Sequence, residues 1–171
     1  MTDDVQLVDV TTDHLPVLFE QQLDPEAARM AAFPARDREA FLAHWTKILA
    51  DASLVKKAIL FEGRLAGHIG AFALHGETLV GYWLGREFWG KGIATRALAA
   101  LLPLVAARPL FAHVAKHNVG SIRVLEKCGF TVAREERVTE NGEEIAELVM
   151  VFEADASAAG DPPRTVLGDR L

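Results

Sequence analysis

The chain has 171 residues, half of them hydrophobic and a quarter charged, with a formal net charge of −6 at pH 7. That length suits one domain with its own core, and the charge argues against a nucleic-acid-binding face, which needs a basic surface. No apolar run approaches the ~20 residues of a membrane helix. The acidic start, MTDDVQLVDV, lacks the basic-then-apolar pattern of a secretory signal. The one cysteine, Cys128, has no partner for an internal disulfide, so the expected location is cytoplasmic.

In chain order, Gln6 to Val10 reads as a first strand. Thr12 is the expected N-cap of a helix carrying Leu15, Leu18 and Phe19. Asp24-Pro25 opens a second short helix, with proline at its first position. Asp37 caps a third, whose apolar stripe is Phe41, Leu42, Trp45, Ile48 and Leu49. Ala58 to Phe61 and Leu65 to Leu74 are strands joined by the turn signal Glu62-Gly63-Arg64. After His75-Gly76-Glu77, a strand runs from Thr78 to Leu84.

A glycine-rich stretch, Gly85 to Gly92, leads into a helix from about Ile93, and Pro103 should kink or end it. Leu110 to Val114 is a short strand. Asn118 to Cys128 is a helix closed by Gly129. Thr131 to Val138 and Ile145 to Phe152 are the last strands, joined at Asn141-Gly142, a strong hairpin signal. The expected fold is α/β or α+β, with a central mixed, mostly antiparallel sheet of six to seven strands flanked by helices. Residues 1–153 should form one domain, and residues 154–171, small, polar and proline-bearing, a flexible tail.

Trp89-Gly90-Lys91-Gly92-Ile93-Ala94-Thr95 follows a strand and opens a helix. The first amides of a helix lack internal partners and sit at the positive end of its dipole. Glycines at 90 and 92 let the backbone approach an anion, so the stretch can cradle a pyrophosphate. Lys91 and Arg96 could add charge. The alternative is a plain strand-to-helix turn. The stretch has neither the G-K-[ST] ending of a P-loop nor the third glycine of the dinucleotide fingerprint.

GYWLGREFWGKGIATRAL, followed about thirty residues on by NVGSIRVLEKCGF, resembles the GNAT superfamily of N-acetyltransferases. Its pattern is similar to the RimJ/RimL branch, the ribosomal-protein N-terminal acetyltransferase type. The match covers roughly Gly81 to Phe130. In the family loop pattern Q/R-x-x-G-x-G/A, Trp89 takes the first position, Gly92 the fourth and Ala94 the sixth.

The resemblance implies acetyl-coenzyme A as cosubstrate, with its pyrophosphate on the amides of Gly90, Lys91, Gly92, Ile93, Ala94 and Thr95. It implies that the strand ending at Leu84 aligns the pantetheine arm, and that an N–H near Leu84 polarises the thioester carbonyl. Asn118 would contact the coenzyme arm as well as, or instead of, capping its helix. Ser121, one turn on, would lie near the thioester sulfur. Many family members carry a tyrosine one turn further as general acid. Here that position is Leu125, which leaves Ser121, or a water it orients, as the substitute.

A free amine must also lose a proton. Glu77 and His75 are the candidate bases, and His113 and His117 are placed to line the amine entrance. Met30, Phe33 and Pro34 occupy the segment that shapes the acceptor site in the resembling family. Tyr82 and Trp83 alternate, so one faces the core and the other the acceptor cleft. Trp45 and Cys128 read as structural, and the remaining histidines lack ligand spacing, so no metal site is expected.

The function expected is acetyl transfer to a primary amine, on a protein N-terminus or a small molecule. The alternatives are a non-catalytic acyl-coenzyme A sensor or scaffold, and a plain interaction domain. A homodimer through the edge of the final hairpin is a further possibility; nucleic acid and membrane are not expected partners.

Overall fold

The computed structural model describes residues 4–140 and 142–153. Asn141, half of the expected hairpin signal, and the expected tail lie outside the described residues. Among the described residues, seven strands form one sheet. They are β1 (Val5–Asp9), β2 (Val55–Phe61), β3 (Arg64–Leu74), β4 (Glu77–Leu84), β5 (Leu110–Ala115), β6 (Thr131–Glu140) and β7 (Glu143–Phe152), in the order β1-β2-β3-β4-β5-β7-β6. Five α-helices flank the sheet: α1 (Leu15–Gln22), α2 (Pro25–Ala31), α3 (Arg38–Ala50), α4 (Ile93–Leu101) and α5 (Val119–Lys127).

Every strand pairing is antiparallel except that of β4 with β5. That parallel pair keeps register at only two positions, Thr78↔Leu110 and Leu79↔Phe111. On its other edge β4 stays paired with β3 as far as Leu84. The sheet is therefore continuous below Leu79 and split above it.

Local chemistry explains the elements. Glu62 and Gly63 have φ of 51° and 82°, and His75 and Gly76 have 50° and 80°. Each pair closes a two-residue hairpin of the kind that needs two left-handed residues. His75 is thus an exposed turn residue. Asp24 accepts from the Glu26 N–H and Asp37 from the Ala40 N–H, so both caps form as expected.

The first cap is shifted. Thr11, not Thr12, takes that place, donating its N–H to His14 Nδ1 at 3.0 Å, and Thr12–His14 form a 3-10 turn ahead of α1. β2 starts at Val55, earlier than expected, because Lys56 and Lys57 pair with β3 while their side chains obscure the apolar pattern. Pro103 behaves as its ring requires: α4 ends at Leu101 and Leu102–Leu104 tighten into a 3-10 turn.

Two cores result. Between the sheet and α4 and α5 lie Ile59, Ile69, Leu98, Leu101, Leu125 and Met150, each no more than 1% exposed. Beneath α1 and α3 lie Leu18, Phe19, Phe41, Trp45 and Ile48. Each such buried side chain contributes about 1.5–3 kcal/mol. Leu42, counted in the α3 stripe, is 40% exposed, since one residue turns a helix by about 100° away from Phe41.

His68, on β3, packs against Trp45 with ring centroids 5.0 Å apart. Burial, aided by the nearby His44, lowers its pKa to about 4. An unfolded histidine takes its proton near pH ~6.5. The unfolded state thus binds more protons between these values, and stability falls as pH drops from about 6.5 toward 4. The loss reaches at most about 3 kcal/mol. Urea unfolding at pH 7 and pH 4.5 should show this loss in the parent and a smaller one in His68→Leu; equal losses in both would refute the assignment.

Candidate active site

The β4–β5 split opens a cavity of about 490 Å³. One wall is the end of β4, with Tyr82, Trp83 and Leu84. The floor is the loop from Trp89 into α4, and the other wall is the first two turns of α5. Nine residues expected at the cofactor site line this one space: Leu84, Trp89, Gly90, Gly92, Ile93, Ala94, Thr95, Asn118 and Ser121. Lys91 is exposed beside it, and Glu77 is not among the lining residues.

The loop geometry follows from its glycines. Gly90 and Gly92 have φ of 77° and 76°, a conformation L side chains rarely adopt, and Gly92 caps α4. A Cβ on Gly90 would meet nothing within 4 Å. The first α4 bond is from the Arg96 N–H to the Gly92 carbonyl, 3.2 Å, so the amides of Ile93, Ala94 and Thr95 precede the helical ladder. These groups fit a pyrophosphate. The Arg96 guanidinium donates to the carbonyls of Gly92 and Lys91 and so braces the loop beside which its charge sits.

Register explains why β4 can receive an extended arm. The Gly85 N–H donates to the Ala66 carbonyl at 2.9 Å. Backbone groups alternate sides along a strand, so those of Leu84 and Tyr82 point away from β3 toward the split. The Trp89 indole donates to the Leu84 carbonyl at 3.1 Å, which confirms the direction and ties the loop to the strand.

α5 supplies the facing wall. Asn118 Oδ1 accepts from the Ser121 N–H at 3.2 Å, so its capping role is real and coexists with a place on the cavity wall. The Ser121 hydroxyl lies 2.6 Å from that of Tyr82. Cys128, half-buried, donates to the Thr95 carbonyl at 3.4 Å and joins α5 to α4; burial pushes its thiol pKa up, as suits a structural cysteine.

α2 lies across the mouth, where Ala27, Met30 and Ala31 line the cavity. Arg86 pairs with Asp24 at its start, 3.1 Å, and His117 Nε2 meets the Arg29 carbonyl near its end, 2.9 Å. Met30 therefore stands where expected. Phe33 instead lies outside, 43% exposed, with the Arg36 guanidinium over its ring.

Glu77 sits five residues before Tyr82, roughly 16 Å along the strand and on the opposite face. There it joins side chains from other strands. His113 Nδ1 is 3.0 Å from Glu147 Oε1, and His113 Nε2, buried without a hydrogen-bond partner, is 4.0 Å from Glu77 Oε1. Arg134 bridges Glu136 and Glu77. Of the bases weighed, Glu77 belongs to a polar cluster and His75 only to a turn. Sequence reasoning passed over Arg123 and Lys127 on α5, which line the cavity; their i, i+4 spacing beside Ser121 was the available signal.

A cavity with helix-start amides, an open strand edge and a hydroxyl wall suits a phosphate-tailed acyl carrier. Residues 4–131 match the model of the acetyltransferase (GNAT) domain. The chain belongs to this family of acetyltransferases, for which acetyl-coenzyme A is the acyl donor. It is 34% identical over 68 residues to YdaF of Bacillus subtilis (strain 168), provisionally named a ribosomal N-acetyltransferase; the match spans 38% of this chain and 37% of YdaF. A RimL ribosomal L7/L12 α-N-protein acetyltransferase solved with coenzyme A is 22% identical, with a TM-score of 0.73, over 90% of this chain and 97% of that one. Spermidine N-acetyltransferase from Vibrio cholerae, solved with coenzyme A and spermine, is 15% identical, with a TM-score of 0.75, over 88% and 96%. These two likenesses bear out the expected fold.

Gly92→Glu would force a strained φ and place a carboxylate in the cradle. Calorimetry should find acetyl-coenzyme A binding at about one per chain in the parent, and affinity at least roughly a hundredfold weaker in the variant, a loss of about 3 kcal/mol. Undiminished binding in a folded Gly92→Glu protein would move the pyrophosphate elsewhere.

Proposed function

We propose that the protein moves an acetyl group from acetyl-coenzyme A to a primary amine by direct attack in a ternary complex. The observation that carries this reading is the single cavity shared by the α4 amides, the open edge of β4 and the Ser121 hydroxyl. The pyrophosphate rests on the amides of Gly90 to Thr95, with Lys91 adding charge at the rim. The pantetheine arm runs along the backbone of Tyr82 and Leu84, with Asn118 opposite. The Leu84 N–H polarises the thioester carbonyl, and Ser121 faces the sulfur. Most of the rate gain comes from holding amine and thioester together beside a preset donor.

The amine arrives past α2. Its proton leaves to water in the cavity, since Glu77 lies roughly 16 Å away along the strand and on the opposite face. The acceptor is a protein N-terminus or a small amine such as a polyamine; the named acetyltransferases of similar fold act on one of each.

The test is turnover of acetyl-coenzyme A against a peptide with a free N-terminus, a polyamine and free amino acids. Acetylation of one class should be found, with kcat changed less than about twofold in Glu77→Gln. A roughly tenfold or larger loss of kcat in that variant would place Glu77 in the proton path. Tight acetyl-coenzyme A binding with no amine turned over would favour a non-catalytic acyl-coenzyme A sensor instead.

A further inference from the structure

Tyr82 is the one tyrosine in the chain. With Leu84, it packs from β4 against the core beneath α4 and α5. Its hydroxyl lies 2.6 Å from Ser121 Oγ and 3.4 Å from the Ser121 carbonyl. One helical turn beyond Ser121 stands Leu125, 1% exposed and without a hydroxyl. The hydroxyl that meets Ser121 therefore comes from the opposite wall of the cavity.

Two hydroxyls carry two hydrogens, and the short bond between them uses one. If Tyr82 donates, the Ser121 hydrogen is left for a third group. If Ser121 donates, the Tyr82 hydrogen turns to the Ser121 carbonyl, 3.4 Å away, and neither is left. The Ser121 main chain is already held by Asn118 Oδ1, so the serine rotamer is the remaining freedom, and the tyrosine fixes it. All three residues line the cavity.

We propose that Tyr82 is a positioning residue that donates to Ser121 Oγ and so locks it, leaving the Ser121 O–H to donate to the thioester sulfur as the C–S bond breaks. This rests on the acetyl-transfer reading above. The amine lone pair forms the C–N bond, and the tetrahedral oxyanion collapses. The C–S electron pair then goes to sulfur, and the amine proton leaves through water. Burial pushes the Tyr82 phenol up to about 12, well above the ~8.5 of a free thiol. The pair thus keeps its protons and acts as a donor, and the thiolate is protonated by water after it leaves.

Kinetics and a spectroscopic probe test this together. Tyr82→Phe keeps the packed ring and loses only the hydroxyl. It should lower kcat about tenfold to a hundredfold, with KM for acetyl-coenzyme A changed less than about twofold. Ser121→Ala should lose as much, the double variant no more than the worse single, and Ser121→Thr should regain most of it. Unchanged kcat in Tyr82→Phe, an effect on KM alone, or losses that multiply would overturn the proposal.

Replacing the one tyrosine with 3-fluorotyrosine gives a single fluorine resonance, read without any acceptor. It should shift in Ser121→Ala and again on saturation with coenzyme A. If the parent acetylates no amine, the transfer reading fails on its own, and the resonance decides the positioning claim. A resonance indifferent to both changes overturns it.

Discussion

The parting of β4 from β5 is the constraint on which the rest depends. Parallel neighbours require a crossover, and here the crossover is α4. It starts where β4 ends, so its positive terminus arrives beside the open strand edge. Ligands of open α/β sheets gather at the carboxyl ends of strands for the same reason. Had pairing continued past Leu79, the β4 amides would be spent on β5 and no extended arm could lie there.

The donor half of the site was legible in the sequence because it is local. Gly90, Gly92 and the start of α4 are contiguous, and their chemistry follows from backbone rules that act over a few residues. The caps at Asp24 and Asp37 and the stop at Pro103 were legible for the same reason. Thr11 was missed because neighbouring threonines offer equal caps and only the His14 contact distinguishes them.

The polar cluster around Glu77 was not legible, because it is assembled by register. Glu77, His113, Arg134, Glu136 and Glu147 come from four strands and meet only once the sheet order is known. Tyr82 and Ser121 are separated by 39 positions. Alternation alone puts Glu77 and Tyr82 on opposite faces, but nothing in the sequence says which face the acyl carrier uses. Arg96 has a second role that its charge did not reveal: it reaches back to two carbonyls and braces the loop.

The two also differ in what holds them. The donor half relies on backbone groups and left-handed glycines, where substitutions meet strain. The polar cluster relies on side chains that can be exchanged one at a time. α2 lies across the mouth. It is a crossbeam fastened to one lip of the groove through Arg86 and Asp24 and to the other through His117. Exposed polar fastenings of this kind are worth about 1 kcal/mol or less each. The width of the cavity mouth is therefore a soft dimension on a stiff frame, and changes at either fastening would reset that width without disturbing the glycine loop.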